Sequence, residues 1–338
     1  IAGGALLLIV GANPLQAYGE MFRGAFGDDF ALTQTLLKAT PLLFTGLSVT
    51  LALRSGFWNI GAEGQLLMGA FAATGIALFW TDSLPTFLVI PAVIIAGFVG
   101  GALWGLLSAA LKVWLGVNEI VTTLMLNYIA IEWIEFLYFS AWRNPRGFGF
   151  PGTAEFPREA WLPPLSGRLH IGFAIALIAC VLVWLLLART KWGYELRVMG
   201  ASLPAARYSG IRLIRNMLLV VMISGGIAGL AGMSEVAGIS HRLQNGLAVG
   251  YGYTGLIVAF LARLNPLSAI VSAIFLAGLT VGSEQLQLTM NLPASFALIL
   301  QGTILLLVVA GEVLTHYRIR LLLPQRRQAS WTQPSSNQ

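Results

Sequence analysis

Charge is what this chain has least of. Of its 338 residues only 10% are Asp, Glu, Lys or Arg, against 57% hydrophobic, and the mean hydropathy is +0.78. A soluble domain carries roughly 25% charged residues, so a single water-soluble core is excluded. Cysteine is nearly absent. The lone Cys180 sits in an apolar run, which rules out an intrachain disulfide and leaves a thiol packed as filler. Lysine occurs only at Lys38, Lys112 and Lys191 and never follows a glycine. A phosphate loop of the Gly-Lys-Ser/Thr kind is therefore missing, and the chain does not bind ATP by that route. His170, His241 and His316 lie at separate span ends without ligand-like spacing, which argues against a metal centre or a Ser/His catalytic pair. The pI near 9.8 reflects basic residues at the ends of apolar runs rather than a nucleic-acid surface.

Apolar sequence is abundant. A span needs about 20 apolar residues, and runs sit near 1–12, 32–53, 65–80, 86–111, 119–140, 170–188, 216–238, 250–262, 264–282 and 295–315. The reading is an all-α polytopic membrane protein of about ten transmembrane helices, some of them interrupted. Its transmembrane domain covers 1–316, with a loop over 189–215 on the cytoplasmic side and an outer loop over 141–169. A cytoplasmic polar tail follows over 317–338, disordered from Gln325. The chain starts at Ile1 inside an apolar run, so the true amino terminus is expected upstream. With both termini cytoplasmic, thirteen of the twenty Lys and Arg residues fall on cytoplasmic segments and six outside, as the positive-inside bias requires. Lys38 is left within a span. The outer segment Trp142–Leu169, rich in Pro and Gly and carrying Trp161, predicts an interfacial cap.

The loop 189–215 holds six basic residues against the single acid Glu195. It also predicts a short helix. Ser202 is placed to cap it, Pro204 fits its first turn, and Gly210 ends it. Ala205, Arg207 and Tyr208 lie between. A short helix held beneath a membrane domain is a point where a soluble motor can grip.

Two spans are short, 65–80 and 250–262, and each follows an irregular stretch: 55–65 (Ser-Gly-Phe-Trp-Asn-Ile-Gly-Ala-Glu-Gly-Gln) and 245–255. A long glycine-containing span precedes each, and those two spans run in opposite directions. That pattern predicts an inverted repeat with interrupted helices. Irregular backbone in a bilayer is tolerated only inside protein or beside water, so Asn59, Glu63 and Gln65 either stitch the broken helix or line a polar path. On the span 119–140, Asn127 and Glu132 join them as candidates for the substrate path, as does Glu235 at the end of 216–238. Carboxylates at this depth normally face a bundle interior or a cavity. Glu119 opens its helix, where the dipole favours it, and Lys38 needs a carboxylate across the bundle. The glycines of Ser224-Gly-Gly-Ile-Ala-Gly-Leu-Ala-Gly predict a close-packing face.

Three segments together carry a resemblance. Gly56-Phe-Trp-Asn-Ile-Gly-Ala-Glu-Gly-Gln-Leu-Leu-Met-Gly-Ala70, Asn118-Glu-Ile-Val-Thr-Thr-Leu-Met-Leu-Asn-Tyr128 and Gly252-Tyr-Thr-Gly-Leu-Ile-Val-Ala-Phe-Leu-Ala-Arg-Leu-Asn-Pro-Leu267 closely resemble bacterial ABC importer permeases. The branch is that of nucleosides and simple sugars, related to the branched-chain amino acid and ribose permeases. The resemblance implies a coupling helix within Gly193–Ile211 that enters a cleft of an ATPase. It further implies a second, often non-identical permease subunit, ATPase subunits that hold Mg-ATP while this chain binds no cofactor, and a substrate-binding lipoprotein outside a bacterial inner membrane. The Asn-Ile-Gly-Ala-Glu-Gly form favours nucleosides, with simple sugars as the alternative. A proton-coupled carrier using Glu132, Glu135 or Glu235 is the competing class.

Overall fold

The computed structural model describes residues 13–147, 149–247, 249–290 and 295–316, together with 4, 7 and 8. All but those three residues of the expected first span, and the whole polar tail, therefore lie outside the described residues. Every other apolar run is a helix. The elements are α1 (Pro14–Phe26), α2 (Asp29–Arg54), α3 (Ala62–Phe79), α4 (Thr86–Leu115), α5 (Glu119–Phe136), α6 (Gly172–Arg189), α7 (Lys191–Ala201), α8 (Leu203–Tyr208), α9 (Leu213–Glu235), α10 (Tyr251–Leu261), α11 (Pro266–Met290) and α12 (Phe296–His316). Seven of them, α2 to α6, α9 and α11, are long and apolar enough to cross a membrane; α10 and the apolar stretch of α12 are shorter. A two-stranded hairpin, β1 (Pro164–Ser166) with β2 (Leu169–His170), sits in the cap.

Besides α8, which its caps predict, two helices escape the apolar pattern. The amphipathic α1 packs on α11 and α2, and its sequence is too polar and too short to register as a span. The other is α7, whose start is fixed by Thr190: its Oγ1 accepts the Gly193 N–H at 2.9 Å.

α2 and α9 form the centre, with 83% and 78% of their apolar windows buried against 28% for α4 and α6. They contact each other, and each packs on the helices that follow the other. α2 lies on α10 and α11, while α9 lies on α3 and α4. Likewise α5 packs on α3 as α12 packs on α10. This exchange of partners is what an inverted repeat produces. α2 ends beside α7, where Gly56 meets the Gly200 backbone. α9 runs the other way and ends under the cap, where the Leu162 N–H bonds the Ala237 carbonyl at 2.9 Å.

Glycine sets how closely these helices approach. Gly97, Gly101 and Gly105 of α4 lie against the α9 backbone around Val221, Gly225 and Gly229, so a methyl group on Gly101 or Gly229 would overlap carbonyl oxygens of the facing helix. Small residues every four positions allow this backbone contact where lipid gives no hydrophobic drive.

Candidate functional site

α2 ends in a turn that the sequence requires. Gly56 adopts φ 82°, and the Phe57 N–H reaches back to the Ala52 carbonyl at 3.2 Å. Glycine takes that left-handed conformation without a Cβ penalty. The chain then runs irregularly through 57–60 before α3 begins. Asn59 holds this stretch. Its Nδ2 donates to Gln65 Oε1 at 2.9 Å and to Ser224 Oγ at 3.0 Å, and its Oδ1 accepts from Gln65 Nε2 at 3.0 Å and from the Gly61 N–H at 3.1 Å. Ser224 Oγ in turn donates to the Ser48 carbonyl at 2.8 Å. A paired amide thus pins the break of α3 to both central helices.

Neither interrupted helix caps itself: Gly61 and Gly250, which precede α3 and α10, provide no side-chain oxygen. Asn127 of α5 supplies the cap for α3. Its Oδ1 accepts the Gly64 N–H at 2.8 Å, and its Nδ2 donates to the Ile60 carbonyl at 2.9 Å and to Tyr253 Oη at 3.2 Å. Glu63 supplies the cap for α10, accepting the Gly250 N–H at 2.9 Å and the Gly252 N–H at 2.5 Å. The two helix starts touch, since a Cβ on Gly252 would overlap the Ala62–Glu63 backbone. Asn59, Glu63, Gln65 and Asn127 are each no more than 1% exposed. The structure therefore brings four of the six path candidates together at one crossing, where they satisfy backbone and one another.

The other two stand apart. Glu132 is exposed on α5, in an open groove of about 580 Å³ with Tyr128, Trp133 and Phe136. Glu235 ends α9, buried, with Oε1 unpartnered among the described residues. Lys38 pairs with Glu284 of α11, and Glu119 pairs with Lys112. A chain Thr254–Gln301–Thr280 links α10, α12 and α11 at 3.4 and 3.0 Å.

On the α7–α8 face, the expected short helix forms. Ser202 Oγ accepts the Ala205 N–H at 3.4 Å and Pro204 occupies the first turn. Gly210, at φ 74°, follows the end. Of Ser202–Gly210 only Ala206 is buried; Pro204, Ala205 and Arg207 are exposed, and Tyr208 is 96% so. α7 below it is rigidly seated. Its Glu195 accepts from Asn216 Nδ2 at 2.7 Å, Trp192 Nε1 donates to Asn216 Oδ1 at 3.3 Å, and Gly200 lies against the Arg54 carbonyl.

On the opposite face, two histidines distant in sequence meet. His170 and His241 line one cavity of about 500 Å³, and the His241 ring stacks on Trp161 at 3.7 Å. His170 accepts the Gly172 N–H through Nδ1 at 3.1 Å, which places its proton on Nε2. Burial, aided by the neighbouring His241, pushes His170 down to about 4; burial also lowers His241, against the Ala237 carbonyl and Glu155. Among the described residues no three His, Cys, Asp or Glu side chains are grouped to hold a metal.

This chain is similar along most of its length to known permease proteins. The glucose ABC transporter permease protein TsgB13 of Haloferax volcanii is 34% identical over 336 residues, spanning 96% of this chain and 88% of its own length. The guanosine ABC transporter permease protein NupP of Bacillus subtilis is 30% identical over 328 residues, 96% of this chain and 92% of its own. The nucleoside ABC transporter permease protein NupB of Lactococcus lactis is 31% identical over 294 residues, 84% and 80% respectively. A family model matches residues 31–309, nearly all of the described helices, and the chain belongs to that family, the permease component of the branched-chain amino acid transport system.

Proposed function

We propose that this chain forms half of the translocation path of an ATP-driven importer for nucleosides. Hydrolysis occurs on separate ATPase subunits that hold Mg-ATP and grip α8. α8 is the observation that carries the reading. A single buried residue, Ala206, anchors it, and its exposed face bears Pro204, Arg207 and Tyr208. Directly behind it, Gly200 touches the end of α2 and the break before α3. Movement of α8 by a bound motor has a short rigid route to the centre of the bundle. Alternating access then consists of rocking the interrupted helices about the crossing.

A second permease subunit, non-identical in this reading, covers the open side of α5. A carboxylate within a span faces water or protein rather than lipid, and Glu132 is exposed in this chain. Glu132 then lines the path between the subunits, with Tyr128 and Trp133 as flat surfaces for a base. The cap over 141–170 faces outward and receives a substrate-binding lipoprotein. This orientation puts α7, α8 and both termini on the cytoplasmic side of a bacterial plasma membrane. Nucleosides are favoured by the names of the Bacillus and Lactococcus relatives; simple sugars are the second reading, on the name of the Haloferax relative.

Arg207→Glu tests the reading. It inverts one exposed charge on α8 and leaves the buried Ala206 in place. The chain should insert and fold as before, while import and nucleoside-stimulated ATP hydrolysis are lost. Import at the wild-type rate would show that α8 is not where the motor grips.

A further inference from the structure

The outer cap and α8 lie on opposite faces, and the chain offers a route of hydrogen bonds and close backbone contacts between them. On the cap side the backbone of 152–162 is zipped to the segment after α9. The Leu162 N–H bonds Ala237, Phe156 bonds His241 and Thr153 bonds Leu243, at 2.9, 2.8 and 2.9 Å. That segment leads within a few residues to Gly250 and α10. On the other side, Gly200 of α7 touches Gly56, seven residues before Glu63. The two arms meet at the bonds from Gly250 and Gly252 to the Glu63 carboxylate, flanked by bonds from Thr45 Oγ1 to the Tyr251 carbonyl at 3.0 Å and from Arg54 Nε to the Leu264 carbonyl at 2.9 Å.

Helix caps are ordinarily local, with the capping oxygen at the N-cap position itself. Glu63 lies 187 and 189 residues from the amides it accepts, and it joins the first half of the inverted repeat to the second. The electrostatics make this join sensitive. α3 and α10 abut through their starts, each carrying roughly half a positive charge from its dipole, in a setting without bulk water to screen them. One buried carboxylate offsets both. Neutral links also cross here, from Asn127 to Tyr253, from Thr45 to the Tyr251 carbonyl and from Asn59 to Ser224, but none of them carries charge.

We infer that Glu63 is a positioning residue for transport: it is the joint that makes the segment leading into α10 and the break 55–61 move together, so that an event at the outer cap reaches the motor-bound face. It touches no solute; it acts through the two interrupted helices. The inference rests on the permease reading above.

Glu63→Gln is the test, because it keeps shape and removes charge. An amide can accept one of the two N–H bonds, and its NH2 then opposes the other donor. The assembled transporter in nanodiscs is exposed to its binding protein loaded with a nucleoside, and hydrogen exchange is followed by mass spectrometry. In the wild type, exchange should change in both 241–255 and 55–66, with ATP hydrolysis rising. In Glu63→Gln the change should be confined to 241–255, and the ratio of stimulated to unstimulated hydrolysis should fall to unity. Leu47→Ala, a fully buried truncation elsewhere on α2, controls for lost stability and should keep both responses. If Glu63→Gln responds in both segments, or Leu47→Ala loses the link equally, Glu63 is a structural cap only and the inference fails. A wild type that responds in one segment while hydrolysis still rises overturns the joint but leaves the permease reading. A wild type whose hydrolysis ignores the loaded binding protein overturns the permease reading, and the joint with it.

Discussion

Gly229→Ala should be among the most damaging single-methyl changes in the protein. Gly229 lies where α9 is wedged between α4 and α3. An added Cβ would meet the Gly97 carbonyl oxygen and, at 3.0 Å each, the Cα and N of Gly101. On a second side Gly69 of α3 packs directly on the Gly229 backbone. All of these obstacles are main chain, so no rotamer change relieves them. Ordinary carbon contacts sit at about 3.5–4.0 Å, so α4 and α9 must separate by about 1 Å, which forfeits between a quarter and a half of each contact along the seam. On the order of thirty contacts of about 0.15 kcal/mol each then lose about 2 kcal/mol together, within the usual range of about 1–3 kcal/mol for overpacking. That corresponds to roughly a thirtyfold fall in the folded-to-unfolded ratio. Equilibrium unfolding of the purified chain in mixed micelles, followed by tryptophan fluorescence, measures it. Gly302→Ala is the control. Gly302 lies inside α12 with nothing within 4 Å of an added Cβ, and the change should be neutral or stabilise by about 0.5–1 kcal/mol. A Gly229→Ala protein within about 0.5 kcal/mol of wild type would refute the argument that backbone contact sets the α4–α9 distance.

Three further outcomes follow from the geometry. Ser202→Ala removes the cap of α8 and should destabilise that helix by about 1 kcal/mol, seen as faster hydrogen exchange over 203–208 without loss of membrane insertion. Glu284→Gln breaks the pair with Lys38, but the two side chains are 53% and 25% exposed, so stability should fall by less than about 1 kcal/mol in the same unfolding assay. His170 gives the cap a pH dependence. Its folded value of about 4 lies below the ordinary histidine value of 6.5, so the unfolded state binds more protons between those values. Stability should be unaffected above pH 6.5 and fall as the pH drops towards 4, by up to about 3 kcal/mol. His241 and Arg168 line the same cavity and oppose a charge on the ring. Exchange over 152–170 should rise across that window in the wild type, and His170→Phe should flatten the profile.

How much of this was legible in the sequence depends on the kind of signal. Spans are written in runs of apolar residues, and the starts of α4, α5 and α9 fall within a few residues of the expected runs. The break before α3 was legible too, because Gly56, Asn59, Gly61 and Gly64 interrupt an apolar stretch in a way a bilayer tolerates only inside protein. α8 was spelled out locally by Ser202, Pro204 and Gly210. α1 was not, since 13 residues with Glu20 and Arg23 fall below any span threshold. α7 was missed because a basic loop gives no apolar period. Long-range partners were the least legible. Lys38 demanded a carboxylate, but only the packing of α2 on α11 identifies Glu284. Glu63 and Asn127 were marked by depth and polarity, which do not say whether they face solute or backbone; in the structure both face backbone. The meeting of His170 and His241 depends on the cap folding onto the end of α9, and no spacing rule connects residues 71 positions apart.

The most direct measurement is to solubilise the chain from its native membrane, capture it, and assay the captured complex for ATP hydrolysis with nucleosides and their binding protein added. The account predicts a co-purifying ATPase whose rate rises with loaded binding protein and nucleoside. A bound ATPase stimulated by hexoses but not nucleosides would keep the permease and transfer it to sugars. An intact preparation with no ATPase attached would contradict the account and leave Glu132 and Glu235 as the residues of a carrier that needs no motor.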